Sequence, residues 1–584
     1  MKKFLNKPES IVSEMCTGIV MAHPELEYQR KYKVIKKKHP NKNKVSLISG
    51  GGSGHEPAHA GFVGTGMLDA AVCGDVFASP SQIQVYQAIR EASGDKGVLL
   101  IIKNYSGDMM NFKNAAFMAQ EDGILVDYVK VDDDIAVQDS LYTVGRRGVA
   151  GTVFVHKIAG AAAEQGCGLS EVKAIAEKTI ANVKSIGIAL TSCTVPAKGK
   201  PTFELGESEV EYGVGIHGEP GIKREGLSDA HEMIGRMLLS LCTELQIRAD
   251  NNERIAVMVN GFGATPLMEL YLLNSEIYKE LSGKGVHIVR SFVGNYMTSI
   301  DMAGASVSIL KLDDQLERLL NEPCSTPALK ISGPAEAADL KVLTVVDTES
   351  AEVSFTVETP DSYAVLGTEI TLENLIYIVD VMSACVIKNE VPFCDVDSHA
   401  GDGDMGMSLA KGFKQLKREW KSIIAQSRDI GGFLGACSLV LMEYCGGASG
   451  PIWGSAFRAA GKFAAERTSL SLPDFAVLLQ SAVTGIQVTD ERSFGRVAAT
   501  VGDKTLMDAL IPCADTWIEL SGSKTGRELF TAGAQAAVEG AKKTEQFAAR
   551  KGRAGTVGDR SIGYPDAGAH ALGVIFTAIA QSLK

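Results

Sequence analysis

The chain has 584 residues and a mass of 62.0 kDa, more than a single hydrophobic core holds at roughly 100–200 residues per domain. Its 45% hydrophobic and 22% charged residues are those of a globular protein and exclude disordered and low-complexity classes. The net charge of −12, with no sustained basic block beyond Lys36-Lys37-Lys38, argues against nucleic acid as a partner and leaves a small anionic ligand dependent on local positive groups.

The N-terminus has no apolar leader core, and no apolar run reaches about 18 residues, so a soluble, cytoplasmic chain with no membrane partner is expected. The 11 cysteines are scattered without a C-x-x-C pair, which predicts reduced thiols rather than a zinc site or disulfide framework. From about 45 to 311, apolar β-rich runs alternate with helical stretches, the rhythm of an α/β domain, with strands predicted at 45–48, 98–102, 186–190 and 255–259. The first is followed by Gly50-Gly51-Gly52-Ser53-Gly54-His55 and the second by Asn104-Tyr105-Ser106-Gly107-Asp108, and ligand sites in open α/β sheets lie off such carboxyl ends. His55, Lys103, Asp108 and His217 are the candidates here, because glycine beside each imidazole leaves backbone room for a small polar ligand. Gly54-His55-Glu56-Pro57 and His217-Gly218-Glu219-Pro220 are near-duplicates. His59, His156, His231 and His287 are read as structural, and Asp132-Asp133-Asp134 as a solvated strand end.

Between about 321 and 367 the sequence becomes rich in Pro, Ser, Ala and Glu, an interdomain connection in which 342–346 forms a possible local strand. An all-α domain follows, with helices predicted at 372–390, 406–425, 431–444, 455–466, 473–487, 527–547 and 569–583. The domains are thus 1–330, a linker at 331–367, and 368–584. Asp397-Ser398-His399-Ala400-Gly401-Asp402-Gly403-Asp404 has two readings: three hard oxygen ligands converging on Mg²⁺ that carries substrate phosphates, or an Asp-Gly turn with Asp404 capping the next helix. Gly446-Gly447-Ala448-Ser449-Gly450, Gly552-Arg553-Ala554-Gly555 and Pro565-Asp566-Ala567-Gly568 could outline a nucleotide pocket at one end of the bundle. No Walker A pattern is present, which disfavours a P-loop kinase.

The segments at 48–57, 102–108, 139–148 (Asp139-Ser140-Leu141-Tyr142-Thr143-Val144-Gly145-Arg146-Arg147-Gly148) and 213–220 resemble the substrate half of dihydroxyacetone kinases, and the Asp397 to Gly406 stretch resembles their nucleotide half. The resemblance spans nearly the whole chain and fits the single-chain, ATP-dependent form. It implies an α/β substrate domain of two subdomains, an eight-helix antiparallel barrel for the nucleotide, and a homodimer in which one chain's nucleotide domain faces the other's substrate domain. It further implies a hemiaminal between His217 and the ketone, acid/base and positioning roles for His55 and Asp108, and a site lined by Gly52, Ser53, Gly54 and Lys103. Asp397, Asp402 and Asp404 would hold two Mg²⁺ ions. ATP would contact Asp404, Met405, Gly406, Met407, Gly447, Ser449, Gly450, Thr505, Leu506, Arg553, Ala554, Gly555, Asp566 and Gly568. Met405 and Ala554-Gly555-Thr556 depart from the family's usual residues. Glyceraldehyde or erythrulose as substrate, a phosphocarrier-dependent transfer, FAD cyclisation and a non-enzymatic ketose sensor are the alternatives.

Overall fold

The computed structural model describes residues 2–137, 145–219, 221–248, 251–344, 355–495, 497–551, 555 and 558–584. They form two compact units, Met1–Val346 and Asp347–Lys584, whose boundary falls inside the expected linker.

The first unit holds two six-stranded sheets. Strands β1 (Leu26–Gln29), β2 (Val34–Lys37), β3 (Ser46–Ser53), β4 (Ala70–Val76), β5 (Val98–Lys103) and β6 (Val126–Val131) run in the order β1-β2-β4-β3-β5-β6. The four from β4 to β6 are parallel, and β1 and β2 form an antiparallel edge. Strands β7 (Val183–Ala189), β8 (Glu209–Tyr212), β9 (Lys223–Gly226), β10 (Arg254–Gly261), β11 (His287–Gly294) and β12 (Gly304–Leu312) form the second sheet, β11-β10-β12-β7-β8-β9, antiparallel except between β10 and β11. The helices are α1 (Ile11–Ala22), α2 (Gln82–Ala92), α3 (Ser106–Glu121), α4 (Thr152–Glu164), α5 (Leu169–Asn182), α6 (Ala230–Glu244), α7 (Leu267–Ser282) and α8 (Asp314–Asn321). Every residue of β3 is buried. Leu47 packs with α4 and α5 side chains and Ile48 with Val85 and Phe112 of α2 and α3, so a continuous apolar run is what this doubly covered strand requires. Gly50 to Ser53, expected as a loop, are instead the end of β3, because Gly50 and Gly51 continue the ladder against Val72 and Cys73 of β4.

The expected strand at 342–346 is not formed in its described part. Leu340–Thr344 is a 3₁₀ turn closed by Val342 N donating to Asp339 O, and 345–346 lie outside the described residues.

The second unit contains α9 (Leu372–Lys388), α10 (Glu390–Asp397), α11 (Met405–Arg418), α12 (Trp420–Gln426), α13 (Ile430–Tyr444), α14 (Ser449–Ala464), α15 (Leu472–Phe494), α16 (Met507–Leu520), α17 (Gly526–Lys543) and α18 (Ala567–Ser582). Capping boxes Thr371/Asn374 and Thr525/Glu528 start α9 and α17. Helix packing passes from α9 to α11, α13, α14, α15, α16, α17 and α18, and α18 returns to α9. Inside lies a cavity of about 140 Å³ with an apolar lining that includes Met382, Trp453, Phe475 and Trp517. The unit is not wholly helical, since Glu369–Thr371 pairs with Ser469–Ser471 in a two-stranded ladder. The single helix expected at 406–425 is two, divided at Glu419. Helix α16 escapes a reading by pattern because Pro512 interrupts it, yet burial of Met507, Leu510, Ala514 and Trp517 holds it helical.

All 11 cysteines are free thiols, and among the described residues no helix is long and apolar enough to cross a membrane.

Candidate functional site

Strands β3 and β5 are parallel neighbours, so the segments that leave their carboxyl ends emerge side by side. This brings together His55, two residues beyond β3, Lys103, the last residue of β5, and Asp108 in the first turn of α3. All three are buried. The loop between β8 and β9 brings in His217, whose Nε2 lies 3.1 Å from His55 Nε2. The His217 ring stands edge-on to Tyr105 at 4.4 Å, while His55 stacks on Phe77 at 5.1 Å.

The proton positions in this pair follow from its partners. His55 Nδ1 is 2.8 Å from the carbonyl oxygen of Thr298, which can only accept, so Nδ1 carries the proton. Burial, and then the Lys103 ammonium, hold His55 well below the usual histidine range. The neutral His55 ring therefore has its lone pair at Nε2, and His217 Nε2–H donates to it. His217 is also held well below the usual range, by burial first and then by His55, Lys103 and Arg147.

Lys103 Nζ, Asp108 Oδ1 and the Tyr105 hydroxyl are buried without a hydrogen-bond partner. A Cβ placed on Gly51 would lie 3.2 Å from Lys103 Nζ and 3.5 Å from Asp108 Oδ2, so the two side chains converge on that backbone. Each unmet buried polar atom costs about 1–3 kcal/mol. A cation, an anion and a hydroxyl left unmet beside a neutral histidine pair suit a small ligand rich in oxygen. Burial raises Asp108 above the ordinary carboxylate range and lowers Lys103, while their mutual attraction opposes both shifts.

The His217 loop is fixed from behind. Glu219 Oε2 accepts from His217 N at 2.9 Å, and Glu219 Oε1 accepts from Arg147 Nη1 at 3.2 Å. Arg147 also donates to Asp134 at 2.7 Å and to Gly213 O at 2.8 Å. A Cβ on Gly215 would fall 1.8 Å from Glu219 Oε1, so only glycine fits there. Glu56 accepts from Gly54 N in the same way, which gives the duplicated Gly/His/Glu/Pro wording one physical meaning: each glutamate ties down the amide two residues before it. Pro220 and 139–144 lie outside the described residues.

The aspartate run is not a solvated strand end. Asp132 is partly exposed beside Lys130, but Asp133 and Asp134 are buried. Asp133 accepts from Val149 N, Gly151 N and Ser185 Oγ, and burial pushes Asp134 up to about 6 against the pull of Arg147. His59 and His156 are buried as a pair, with Nδ1 of the first 3.0 Å from Nε2 of the second.

In the second unit, Asp397, Asp402 and Asp404 offer ligand atoms that all lie within 4.8 Å of one another. Asp397 ends α10, and its Oδ2 accepts from Gly403 N at 2.9 Å and Met405 N at 3.3 Å. A Cβ on Gly401 would sit 2.2 Å from Asp397 Oδ1. Asp404 precedes α11 but makes no side-chain cap hydrogen bond to it, so the capping reading fails and the carboxylate stays with the cluster. Three hard oxygen donors at this spacing fit a divalent cation such as Mg²⁺. The cluster opens into a cavity of about 230 Å³ whose lining includes Met405, Ser449 and Ala567, the first residues of α11, α14 and α18. Three helix N-termini at one cavity favour an anion.

A Dak1 domain model matches residues 17–328 and a DAK2 domain model matches residues 399–581. The chain is 33% identical over 585 residues to the L-erythrulose 1-kinase of Mycolicibacterium smegmatis, covering 100% of both chains. The dihydroxyacetone kinase of C. freundii, solved with AMP-PNP and Mg²⁺, is 31% identical, with 100% of this chain and 99% of that one covered and a TM-score of 0.58. The chain belongs to the dihydroxyacetone kinase family. Its first unit alone is more similar to another family member, the dihydroxyacetone-binding subunit of a PTS-dependent dihydroxyacetone kinase from Listeria innocua, at 51% identity over 316 residues, which is 54% of this chain and 95% of that subunit.

Of the nucleotide contacts that the family resemblance implies, Asp404, Met405, Gly447, Ser449, Thr505, Leu506, Asp566 and Gly568 line the 230 Å³ cavity. Gly406, Met407, Gly450 and Gly555 lie off its lining. Gly406 packs against the Glu390 carbonyl, where a Cβ would come within 2.0 Å, and so serves the contact of α10 with α11. Met407 turns outward and is exposed, and Gly450 is buried against the end of α13. Gly555 stacks on Arg550, while Arg553 and Ala554 lie outside the described residues. The sequence reading missed Lys504 and Lys551, the two basic residues of the cavity lining among the described residues. Position 504 was open to discovery, since Gly502-Asp503-Lys504-Thr505 places a lysine in a short glycine turn directly before two expected nucleotide contacts.

Proposed function

We propose that the chain is an ATP-dependent kinase of short-chain ketoses, with dihydroxyacetone as the primary substrate. The observation that carries this reading is the His55–His217 pair set beside the unmet Lys103, Asp108 and Tyr105 groups. As His217 Nε2 bonds to the ketone carbon, its proton passes to His55 Nε2 and on to the former carbonyl oxygen, so one N–H and the C=O π bond are exchanged for N–C and O–H. Asp108, its carboxyl raised by burial, accepts the proton of the terminal hydroxyl as that oxygen attacks the γ-phosphorus and the bond to the ADP leaving group breaks. Lys103 neutralises negative charge near the reacting oxygen.

In the second unit, Asp397, Asp402 and Asp404 would hold Mg²⁺, two ions in this reading, and the amides at the starts of α11, α14 and α18 orient the phosphates. Bound Mg²⁺ neutralises the triphosphate during in-line transfer. The eight-helix antiparallel barrel, supported by the closed circuit of helix contacts, and the homodimer implied by the family resemblance belong to the same proposal.

The test is ADP release with Mg-ATP over dihydroxyacetone, glyceraldehyde, D- and L-erythrulose, and glycerol. Turnover of ketoses with none of glycerol is expected, because glycerol offers no carbonyl to His217; glycerol turnover equal to that of dihydroxyacetone contradicts the covalent hold. The M. smegmatis relative makes erythrulose the principal rival, and the ranking of kcat/KM decides between the two.

The histidine pair also sets a pH expectation. Both pKa values are lowered, so the neutral pair persists as pH falls through about 6.5, where an ordinary histidine gains its proton. The calorimetric Kd for dihydroxyacetone is therefore expected to stay flat from pH 8 to pH 6 and to weaken only in more acid solution. A midpoint near 6.5 would show that the pair titrates normally.

A further inference from the structure

Lys504 has no part in the chemistry above, yet its side chain is only 1% exposed. Two other buried lysines meet carboxylates, Lys44 at Asp69 and Lys417 at Asp380, and a third, Lys157, donates to the single carbonyl of Leu319. Lys504 Nζ instead lies 2.7 Å from Ser561 O, 2.7 Å from Tyr564 O, 2.8 Å from Thr544 O and 3.1 Å from Phe547 O. An ammonium has three hydrogens, so three bonds are short and the fourth, longer contact shares a donor. The residue also adopts φ +60°, a left-handed backbone that residues other than glycine rarely take.

Four neutral carbonyl oxygens converging on one point are the ligand set of a dehydrated monovalent cation. They come from two separate pieces of chain: the 3₁₀ turn after α17, with Thr544 and its cap Phe547, and the segment leading to α18, with Ser561 and Tyr564. Thr505 and Leu506, directly after Lys504, form one part of the cavity wall, and Pro565 and Asp566, directly after Tyr564, form another. The ammonium thus ties the two parts together.

Resting on the reading of this cavity as the nucleotide site, we propose that Lys504 is a built-in monovalent cation. It is a positioning residue whose ammonium fills a carbonyl cage, so that the walls are ordered without K⁺. Removing the ammonium while keeping the chain's bulk, as in Lys504→Met, would leave a cage able to take K⁺ or NH₄⁺ from solution.

The experiment compares wild type and Lys504→Met in KCl, NH₄Cl, NaCl and tetramethylammonium chloride at equal ionic strength, reading nucleotide-free Tm and the Kd of Mg-ATP. Wild type is expected to behave alike in all four salts. In tetramethylammonium the variant is expected to melt lower and to bind Mg-ATP roughly tenfold or more weakly, the equivalent of one lost charge-assisted hydrogen bond. K⁺ or NH₄⁺ should restore both in a saturable way. A folded variant that responds to K⁺ no more than wild type does, or a wild type that itself requires K⁺, overturns the proposal. Failure of wild type to bind ATP would sink the nucleotide reading alone, because the Tm arm contains no nucleotide. If the Met variant does not fold, Lys504→Gln and the wild-type salt series give the same decision.

Discussion

His217→Ala is expected to lower kcat/KM for dihydroxyacetone by about 10²–10⁴-fold, the scale of a positioned catalytic group. Two effects combine and can be separated. Loss of the nucleophile removes the distinction between a ketone and a polyol, so the Kd values of dihydroxyacetone and glycerol should converge. Loss of the ring also strips His55 Nε2 of its partner, a stability cost of about 1–3 kcal/mol visible as a lower Tm. A variant that is folded and less stable but still prefers dihydroxyacetone over glycerol as wild type does would show that His217 only fills space between Phe77 and Tyr105.

Asp404→Asn is expected to reduce Mg-ATP-dependent turnover by about 10³-fold or more, the scale of losing a dedicated electrostatic contact in phosphoryl transfer. Because Asp404 makes no side-chain cap hydrogen bond, α11 should survive the change. The rise in Tm that Mg²⁺ gives the wild type should shrink in the variant. Asp397→Asn is a poorer probe, since Asp397 Oδ2 also accepts the amides of Gly403 and Met405 and its loss disturbs the loop itself. Retained turnover in Asp404→Asn would remove the triad from the chemistry. The Kd for dihydroxyacetone should not change, because every group of the ketose pocket lies in the first unit.

The fold is legible in the sequence where burial is two-sided or periodic. Strands β3, β5, β7 and β10 announce themselves as apolar runs because covered sheets demand them. Strands β8 and β9 do not, being short and charged: Lys223-Arg224-Glu225-Gly226 owes its strand to pairing with Glu209–Tyr212. Asp133 and Asp134 read as surface because their partners, Arg147, Val149 and Ser185, lie well along the chain and no local pattern announces them. The His55–His217 site proposed for the ketose is legible because glycines mark its histidines, and the three aspartates because they share one turn. The roles of Arg147, Glu219 and Lys504 rest on contacts across distant segments and emerge only with the fold.

The proposed kinase is expected to need no second protein for phosphoryl transfer. The rival reading is phosphocarrier-dependent transfer, and the first unit's 51% identity is to the dihydroxyacetone-binding subunit of a PTS-dependent kinase. The measurement is ADP release by the purified chain with Mg-ATP and dihydroxyacetone and no other protein present. Many turnovers per chain are expected, with dihydroxyacetone phosphate and ADP formed one for one. Release of at most one ADP per chain, with dihydroxyacetone phosphate accumulating only when a phosphocarrier is added, would contradict this expectation.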